Sequence, residues 1–384
     1  MSPARLAEEL GGLAFVAVVL ADVFRSVVLP RPSPRTLRFG PWVAIAAMRV
    51  ALRWARGRTV TLRHEVLGAL GPLLIVVEML IWVAALILGF GLMLDGLRAS
   101  LKGVSTFGDA AYLAASAMFT LGLPPGGFDA TGPARLVIAV AALSGLAVVT
   151  LTVTFLLAIQ GALTQRESLV LRLRARTGPH PSGLALLLAH ARLGEEHGPA
   201  LVEFFEQWEQ WSAAVLLTHR AFPILCYFRS TDADCEWLAA LGATLDAAAL
   251  LAALGAEGMT EHAALCHRVG ARLAADLARQ FGLHPAWDPN VGEDQFQDAA
   301  AQLRTLGFGT RADPAAAWER FSLLRAGYAP PLLALCERFG ISGPVWGVTA
   351  PYPAVLRSAS STAPSVSTWG NTAGAPSGEA GNTR

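Results

Sequence analysis

Residues 107–127 read FGDAAYLAASAMFTLGLPPGG and lie between two much longer apolar segments. The first part, from Gly108 to Phe119, has the composition of a helix, but it is too short to cross about 30 Å of hydrocarbon. The second part, from Thr120 to Gly127, holds three glycines and two adjacent prolines, so it cannot continue that helix. Non-helical backbone at membrane depth is tolerated only inside protein or beside water. The stretch therefore predicts a re-entrant segment, a half-helix followed by an irregular loop.

Three other segments are apolar over about 20 residues or more, the length at which a helix crosses a bilayer. The chain is 53% hydrophobic and 15% charged, whereas about a quarter of the residues in a soluble domain are charged. Glu8 and Glu9 precede the first segment and no small-residue cleavage site follows it, which indicates a retained anchor rather than a signal peptide. We therefore predict an all-α membrane protein with three transmembrane helices, at Leu10 to Leu29, at about Val66 to Leu94 and at about Pro133 to Leu163.

The arginines predict how these helices are oriented. Nine of them lie between Arg25 and Arg63, and four more follow the third helix, between Arg166 and Arg176. The loop at residues 95–132 carries only Arg98 and Lys102 as basic residues. Because basic residues are enriched in cytoplasmic loops, the N-terminus and this loop are predicted to lie outside, and the linker and the C-terminal half inside. A composition rich in Ala, Gly, Pro and Arg suggests a high-GC bacterial source, so the predicted location is the cell membrane.

Part of the linker, from Trp42 to Trp54, can be written as a helix. Arg49 and Arg53 fall on one of its faces and apolar residues on another. Such a helix suits the cytoplasmic headgroup interface, and a packed cytoplasmic helix is the alternative. The predicted apolar face consists of Val43, Ala46, Ala47, Val50 and Trp54.

The order of elements over residues 66–163 resembles the pore module of the two-transmembrane potassium channel family. The residues from Phe107 to Tyr112 resemble the start of that family's pore helix. Thr120-Leu121-Gly122-Leu123 matches the first four positions of its Thr-Val-Gly-Tyr-Gly-Asp filter, with Leu in place of Val and Tyr. Gly145 lies about as far from Gly122 as the family's gating-hinge glycine lies from its filter glycine. The resemblance implies a homotetramer in the lipid bilayer that conducts monovalent cations, potassium above all, past rings of backbone carbonyls.

The filter-like segment departs from the family's pattern at Pro124, which replaces the second glycine. Pointing successive carbonyls to one side requires left-handed backbone, which glycine adopts without steric cost. Proline fixes φ near −65° and pushes Leu123 toward extended conformations, although Thr120 to Gly122 can still form an inner ring of oxygens. The sequence leaves two functions open: a cation channel of weak or altered selectivity, and a non-conducting membrane scaffold or sensor that retains the channel fold.

Polar residues inside the predicted spans are further candidates for function. Glu78 is an intramembrane carboxylate, and its role is either functional or that of a structural pair within the protein. Thr150 and Thr154 share a face of the third helix, where they line an inner cavity or hydrogen-bond the preceding carbonyls. Gly145 is a hinge or a close helix contact.

The C-terminal half, residues 166–345, is predicted to be an all-α cytoplasmic domain of six or seven helices. Two predicted units precede it: residues 1–65, with one transmembrane helix and the linker, and a pore-type module at 66–165. A disordered tail at 346–384 is predicted to follow it. The segment from His219 to Ser230 is dense in aromatic and basic residues and is either a docking face under the membrane or a buried loop. Helical spacing predicts amphipathic helices at Phe204, Trp208, Trp211 and Val215 and at Leu238, Leu241 and Leu245.

Chemical signatures are missing from the sequence. It contains no Gly-rich phosphate loop, no GxSxG and no HExxH, so neither an enzyme nor catalytic residues are predicted. Four cysteines without a close CxxC pair and scattered histidines predict no metal and no cofactor. A net charge of +1 gives no field that would attract nucleic acid.

Overall fold

The fold is known from a computed structural model that describes residues 3–27, 39–55, 57, 59–122, 129–192, 197–256, 258–285, 291–309 and 313–347. The predicted tail lies outside the described residues from position 348 onward. Within the described part the chain is almost entirely helical, with one antiparallel pair of two-residue strands, β1 Leu101–Lys102 and β2 Asp129–Ala130. The described helices are α1 Pro3–Val27, α2 Phe39–Ala55, α3 Val60–Gly68, α4 Leu70–Gly96, α5 Phe107–Met118, α6 Pro133–Thr177, α7 Gly183–Ala191, α8 His197–Ala221, α9 Trp237–Leu254, α10 Thr260–Gln280, α11 Glu293–Thr305, α12 Pro314–Ala326 and α13 Ala329–Phe339.

Four described helical stretches are long and apolar enough to cross a membrane: Arg5–Val27, His64–Gly96, Pro133–Thr177 and Trp237–Leu254. The first three include most of the predicted spans and confirm that those are long apolar helices. The fourth is α9, in which all of the apolar window is buried within the chain, against 28% to 33% in the other three. The prediction that α9 is amphipathic was wrong, because α7, α10, α12 and α13 surround it and every face meets protein.

Small residues bring α1 and α4 close together as an antiparallel pair. A Cβ on Gly12 would lie 2.7 Å from the carbonyl oxygen of Gly89, and one on Gly96 would lie 2.5 Å from Cγ of Glu9. Such contacts require glycine, because any side chain would separate the two backbones. Near the other end of the pair, the indole N–H of Trp82 donates to Asp22 at 3.0 Å.

Buried apolar side chains form two main cores. One lies among α1, α4, α5 and the first part of α6, and the other lies in the helical domain and reaches the start of α4. Helix α6 runs without a break for 45 residues from the first core to the second, across the predicted domain boundary at residue 165. In the second core, the predicted apolar face at Phe204, Trp208, Trp211 and Val215 is buried, which confirms it.

Helix α2 packs through a different face from the predicted one. Ala44, Met48 and Ala51 are buried in the second core, whereas Val50 and Trp54 are 66% and 48% exposed. The predicted face was therefore wrong, because the residues that meet the second core are the neighbouring set Ala44, Met48 and Ala51. Val43 and Trp42 have side chains outside the described set.

Candidate functional site

The short helix predicted between the two apolar segments is present as α5, and its first turn is held by a reciprocal cap. The Thr106 hydroxyl accepts from the N–H of Asp109 at 3.2 Å, and the Asp109 carboxylate accepts from the N–H of Thr106 at 2.8 Å. The N–H and hydroxyl of Ser105 also donate to Asp109, at 3.0 and 2.9 Å. These donors, the backbone N–H groups first, lower the pKa of Asp109 to about 2. The start of α5 is thereby fixed as a capping box.

Helix α5 ends in a paired set of backbone hydrogen bonds that leads directly into the filter-like residues. The N–H of Thr120 donates to the carbonyl of Ala117 at 3.1 Å, and the N–H of Leu121 donates to that of Ser116 at 2.9 Å. This is the Schellman arrangement, in which the residue after the C-cap Phe119 adopts left-handed backbone. Here that residue is Thr120, with φ +55°, a conformation that costs a β-branched residue about 1–2 kcal/mol.

The sign of φ alternates along the filter-like residues. Thr120 and Gly122 have φ values of +55° and +94°, and Leu121 between them has no positive φ. All three are exposed in the single chain, and the Leu121 side chain is 71% exposed. Leu123, Pro124 and Pro125 lie outside the described residues, so the second half of the predicted filter stays a prediction.

Ser116 holds the filter-like loop and was missed by the sequence analysis. Its side chain is buried in α5, and its hydroxyl donates to the carbonyl oxygen of Gly122. A hydroxyl in the last turn of a largely apolar half-helix is the signal that would have identified it. This bond occupies one lone pair of the Gly122 carbonyl, so of the three predicted ring oxygens this one is already bound within the chain.

Gly145 lies against the C-terminal end of α5. A Cβ there would lie 2.7 Å from the carbonyl carbon of Met118 and 2.8 Å from its Cα. Of the two predicted roles, hinge and close contact, the structure therefore contains the close contact. Because Gly145 has no side chain, α6 can approach the end of α5, where the filter-like loop begins.

Of the other predicted intramembrane residues, the two threonines bond within α6 and Glu78 lies far from α5. Thr150 and Thr154 are exposed in the single chain, and their hydroxyls donate to the carbonyls of Leu146 and Leu151, both at 2.9 Å. The predicted bonding to preceding carbonyls is therefore present, and lining of a cavity stays a prediction. Gly91 is the α4 residue that touches α5, at Ala111. Glu78 comes 13 residues earlier on the same helix, so it lies about 20 Å from that contact.

Arg166 joins α6 to the helical domain and was not predicted as a site residue. It is 0% exposed, and its guanidinium donates to the carbonyls of Leu225 at 3.1 Å and Phe228 at 2.9 Å and pairs with Glu167 at 2.8 Å. It also lies 3.3 Å from Nε2 of His219. Burial, and then the Arg166 charge, lower the pKa of His219 well below its usual value, so the ring is neutral and accepts this bond.

The aromatic and basic segment after α8 docks beneath α4 and α6. Leu225 is fully buried with Ile75 of α4 and Ile159 of α6. A Cβ on Gly71 would lie 2.6 Å from the ring of Phe228, so the start of α4 rests on this segment. Of the two predicted alternatives, the structure therefore contains the buried segment, and a docking face under the membrane stays a prediction.

No protein-family model, no curated protein and no solved structure matches this chain. The resemblance to potassium channel pores rests on the sequence alone. Among the described residues there is no group of three or more His, Cys, Asp or Glu side chains placed to hold a metal ion.

Proposed function

We propose that this chain is one subunit of a homotetrameric, potassium-type cation channel in the cell membrane of a bacterium. In this arrangement α1, α4 and α6 cross the bilayer, and α5 with the loop after it forms the re-entrant pore segment. The observation that carries the proposal is the alternating backbone of Thr120, Leu121 and Gly122 at the end of a capped, short helix between two long apolar ones. Four such loops around an axis would supply rings of oxygens that replace an ion's water shell.

Exposed apolar surface on α5 and α6 supports the oligomer. Helix α5 buries one face against α4 and α6, whereas Tyr112 and Phe119 are 55% and 51% exposed. Apolar surface of this extent on a single chain fits lipid on one side and neighbouring subunits on the other. The exposed large apolar residues of α6 up to residue 160 are Leu136, Val140, Leu143, Leu146, Val149, Val153, Leu156 and Leu157.

The orientation in this proposal follows from the arginines. The linker of α2 and α3 and the domain of α7–α13 lie in the cytoplasm, and the N-terminus and the loop at 95–132 lie outside. The cytoplasmic domain regulates the pore through α6, which is continuous from the Gly145 contact to the buried Arg166.

A flux assay on purified protein in liposomes tests the proposal. Gly122→Ala meets no neighbouring atom, but alanine at φ +94° is strained, so the loop should change while the fold persists. We expect this variant to lose potassium flux or to change its potassium-to-sodium ratio. Gly258→Ala is the matched control, because Gly258 also has positive φ, +74°, and open space, but lies in the helical domain. Absence of flux from well-folded tetramers across pH, voltage and lipid composition would reject the channel.

The second candidate is a non-conducting scaffold or sensor that keeps the channel fold. Two observations favour it: the adjacent Pro124 and Pro125 where a potassium filter has its second glycine, and the Ser116 hydroxyl on the Gly122 carbonyl. It predicts stable tetramers without flux, in which Gly122→Ala changes neither assembly nor signalling by the helical domain.

A further inference from the structure

A cavity of about 110 Å³ lies where α1, α2, α4 and α6 meet the segment that follows α8. One water needs about 10–15 Å³ on this measure, so the cavity has room for several waters or for one small organic molecule. Its lining comes from the helices of both cores, with Ser26 of α1, Glu78 of α4 and Phe281 after α10 among the residues around it. A molecule held there would touch the apolar helices and the helical domain at once.

Aromatic rings form much of the wall, and their neighbours hold them in place. Phe155 of α6 and Phe222 meet edge to face at 5.5 Å, and Tyr227 meets Phe281 in the same way at 6.3 Å. Trp82 of α4 is held by its hydrogen bond to Asp22. Ring faces attract cations electrostatically, by about 0.5–2 kcal/mol for each well-placed pair.

Glu78 is the one carboxylate among the described lining residues, and that lining contains no Arg, Lys or His. Glu78 and Ser26 each also interact elsewhere within the chain, so a ligand would join existing polar contacts. A carboxylate beside an apolar wall lowers the energy of a cation there and raises that of an anion. Sites for Ca²⁺ or Mg²⁺ are built on several oxygen ligands, often with more than one carboxylate, whereas the side chains of the described lining residues offer this carboxylate and the hydroxyls of Ser26 and Tyr227.

We propose that this cavity binds a small amphipathic organic cation, an ammonium group carried on a compact aromatic or aliphatic body. The ammonium lies by Glu78 and the apolar body lies among the rings of Trp82, Phe155 and Phe222. Because the walls belong to α4 and α6 as well as to the segment after α8, the bound cation stabilises one relative placement of the helical domain and those helices. Binding itself does not depend on ion conduction; any effect of binding on flux rests on the proposed function.

The test is calorimetric titration of the full chain, purified in lipid nanodiscs, with three probes of matched shape: 2-phenylethylammonium, 2-phenylethanol and phenylacetate. We expect the ammonium to bind at least about tenfold more tightly than the alcohol, and phenylacetate not to bind. Glu78→Gln should abolish the preference for the ammonium over the alcohol. Glu65→Gln, at an exposed position on α3 outside the cavity, is the matched control and should retain it.

Two further variants locate the site. Ala44→Leu fills part of the cavity and should weaken the ammonium and the alcohol alike, whereas Thr154→Val on the exposed face of α6 should change neither. Equal affinity for ammonium and alcohol in the wild type overturns the proposal and indicates an apolar lipid-type pocket. The proposal is also overturned if the preference for the ammonium over the alcohol persists in Glu78→Gln or disappears in Thr154→Val. A protein that binds the ammonium without conducting ions would reject the channel alone.

Discussion

Replacing Gly145 with alanine should separate α6 from the end of α5. The new Cβ would lie 2.7 Å from the carbonyl carbon of Met118 and 2.8 Å from its Cα, and backbone atoms cannot move aside as a flexible side chain can. Overpacking of this kind costs about 1–3 kcal/mol. The matched control is Gly161→Ala on the same helix, where a Cβ meets nothing within 4 Å. That substitution should be neutral or stabilising by up to about 1 kcal/mol, because alanine is the better helix former.

The two variants should therefore differ in stability by about 1–4 kcal/mol, with Gly145→Ala the less stable. Thermal unfolding of the purified protein in one detergent measures this, and a difference of several degrees in Tm is expected. The close-contact argument is refuted if Gly145→Ala has a Tm equal to or above that of Gly161→Ala. That outcome is the one expected of a hinge glycine with open space around it.

Three other predictions concern residues outside this contact. Arg166→Met should lower the free energy of unfolding by about 3–5 kcal/mol in a denaturant or thermal titration, because it leaves buried partners unpaired. Arg172→Met, at an exposed position of the same helix, is the control and should change that free energy by at most about 0.5 kcal/mol. Because the folded-state pKa of Asp109 is lowered to about 2, its contribution to stability is present above its ordinary pKa of 3.8 and is lost as pH falls toward 2. Hydrogen exchange of the first turn of α5 should show this loss, and Asp109→Asn should remove the pH dependence. The four thiols are buried and have raised pKa values, so a maleimide should modify none of them before unfolding; rapid labelling of the folded protein at Cys226, Cys235, Cys266 or Cys336 would contradict this.

Helix existence could be predicted from the sequence because length, apolar content and helix breakers are local properties. The long apolar segments, the short helix from Gly108 and its end before Gly122 all follow from residues close to one another in the chain. The same local information does not distinguish α9 from a membrane-spanning helix, since both are long and apolar. Only the helices packed around α9 show that it lies inside the protein.

The two site residues that the sequence did not reveal, Ser116 and Arg166, differ in how far away their partners lie. The Ser116 hydroxyl binds the carbonyl of Gly122, six residues later, where the loop folds back onto α5. Arg166 has the same local setting as the other arginines after the third apolar segment, but the carbonyls of Leu225 and Phe228 that it binds lie about 60 residues later in the chain. No local pattern identifies Arg166, because it acts through contacts that tertiary folding creates.

By itself, the sequence determined that the chain holds long apolar helices with a short helix and a glycine-containing loop between two of them. These features depend on local backbone preference and on the cost of placing polar groups in hydrocarbon. Tertiary structure decided that Gly145 is a close contact, which face of α2 packs, and where Glu78 lies relative to the aromatic cavity. Those outcomes depend on which surfaces meet across the fold, since steric fit and burial are set by partners far apart in the chain.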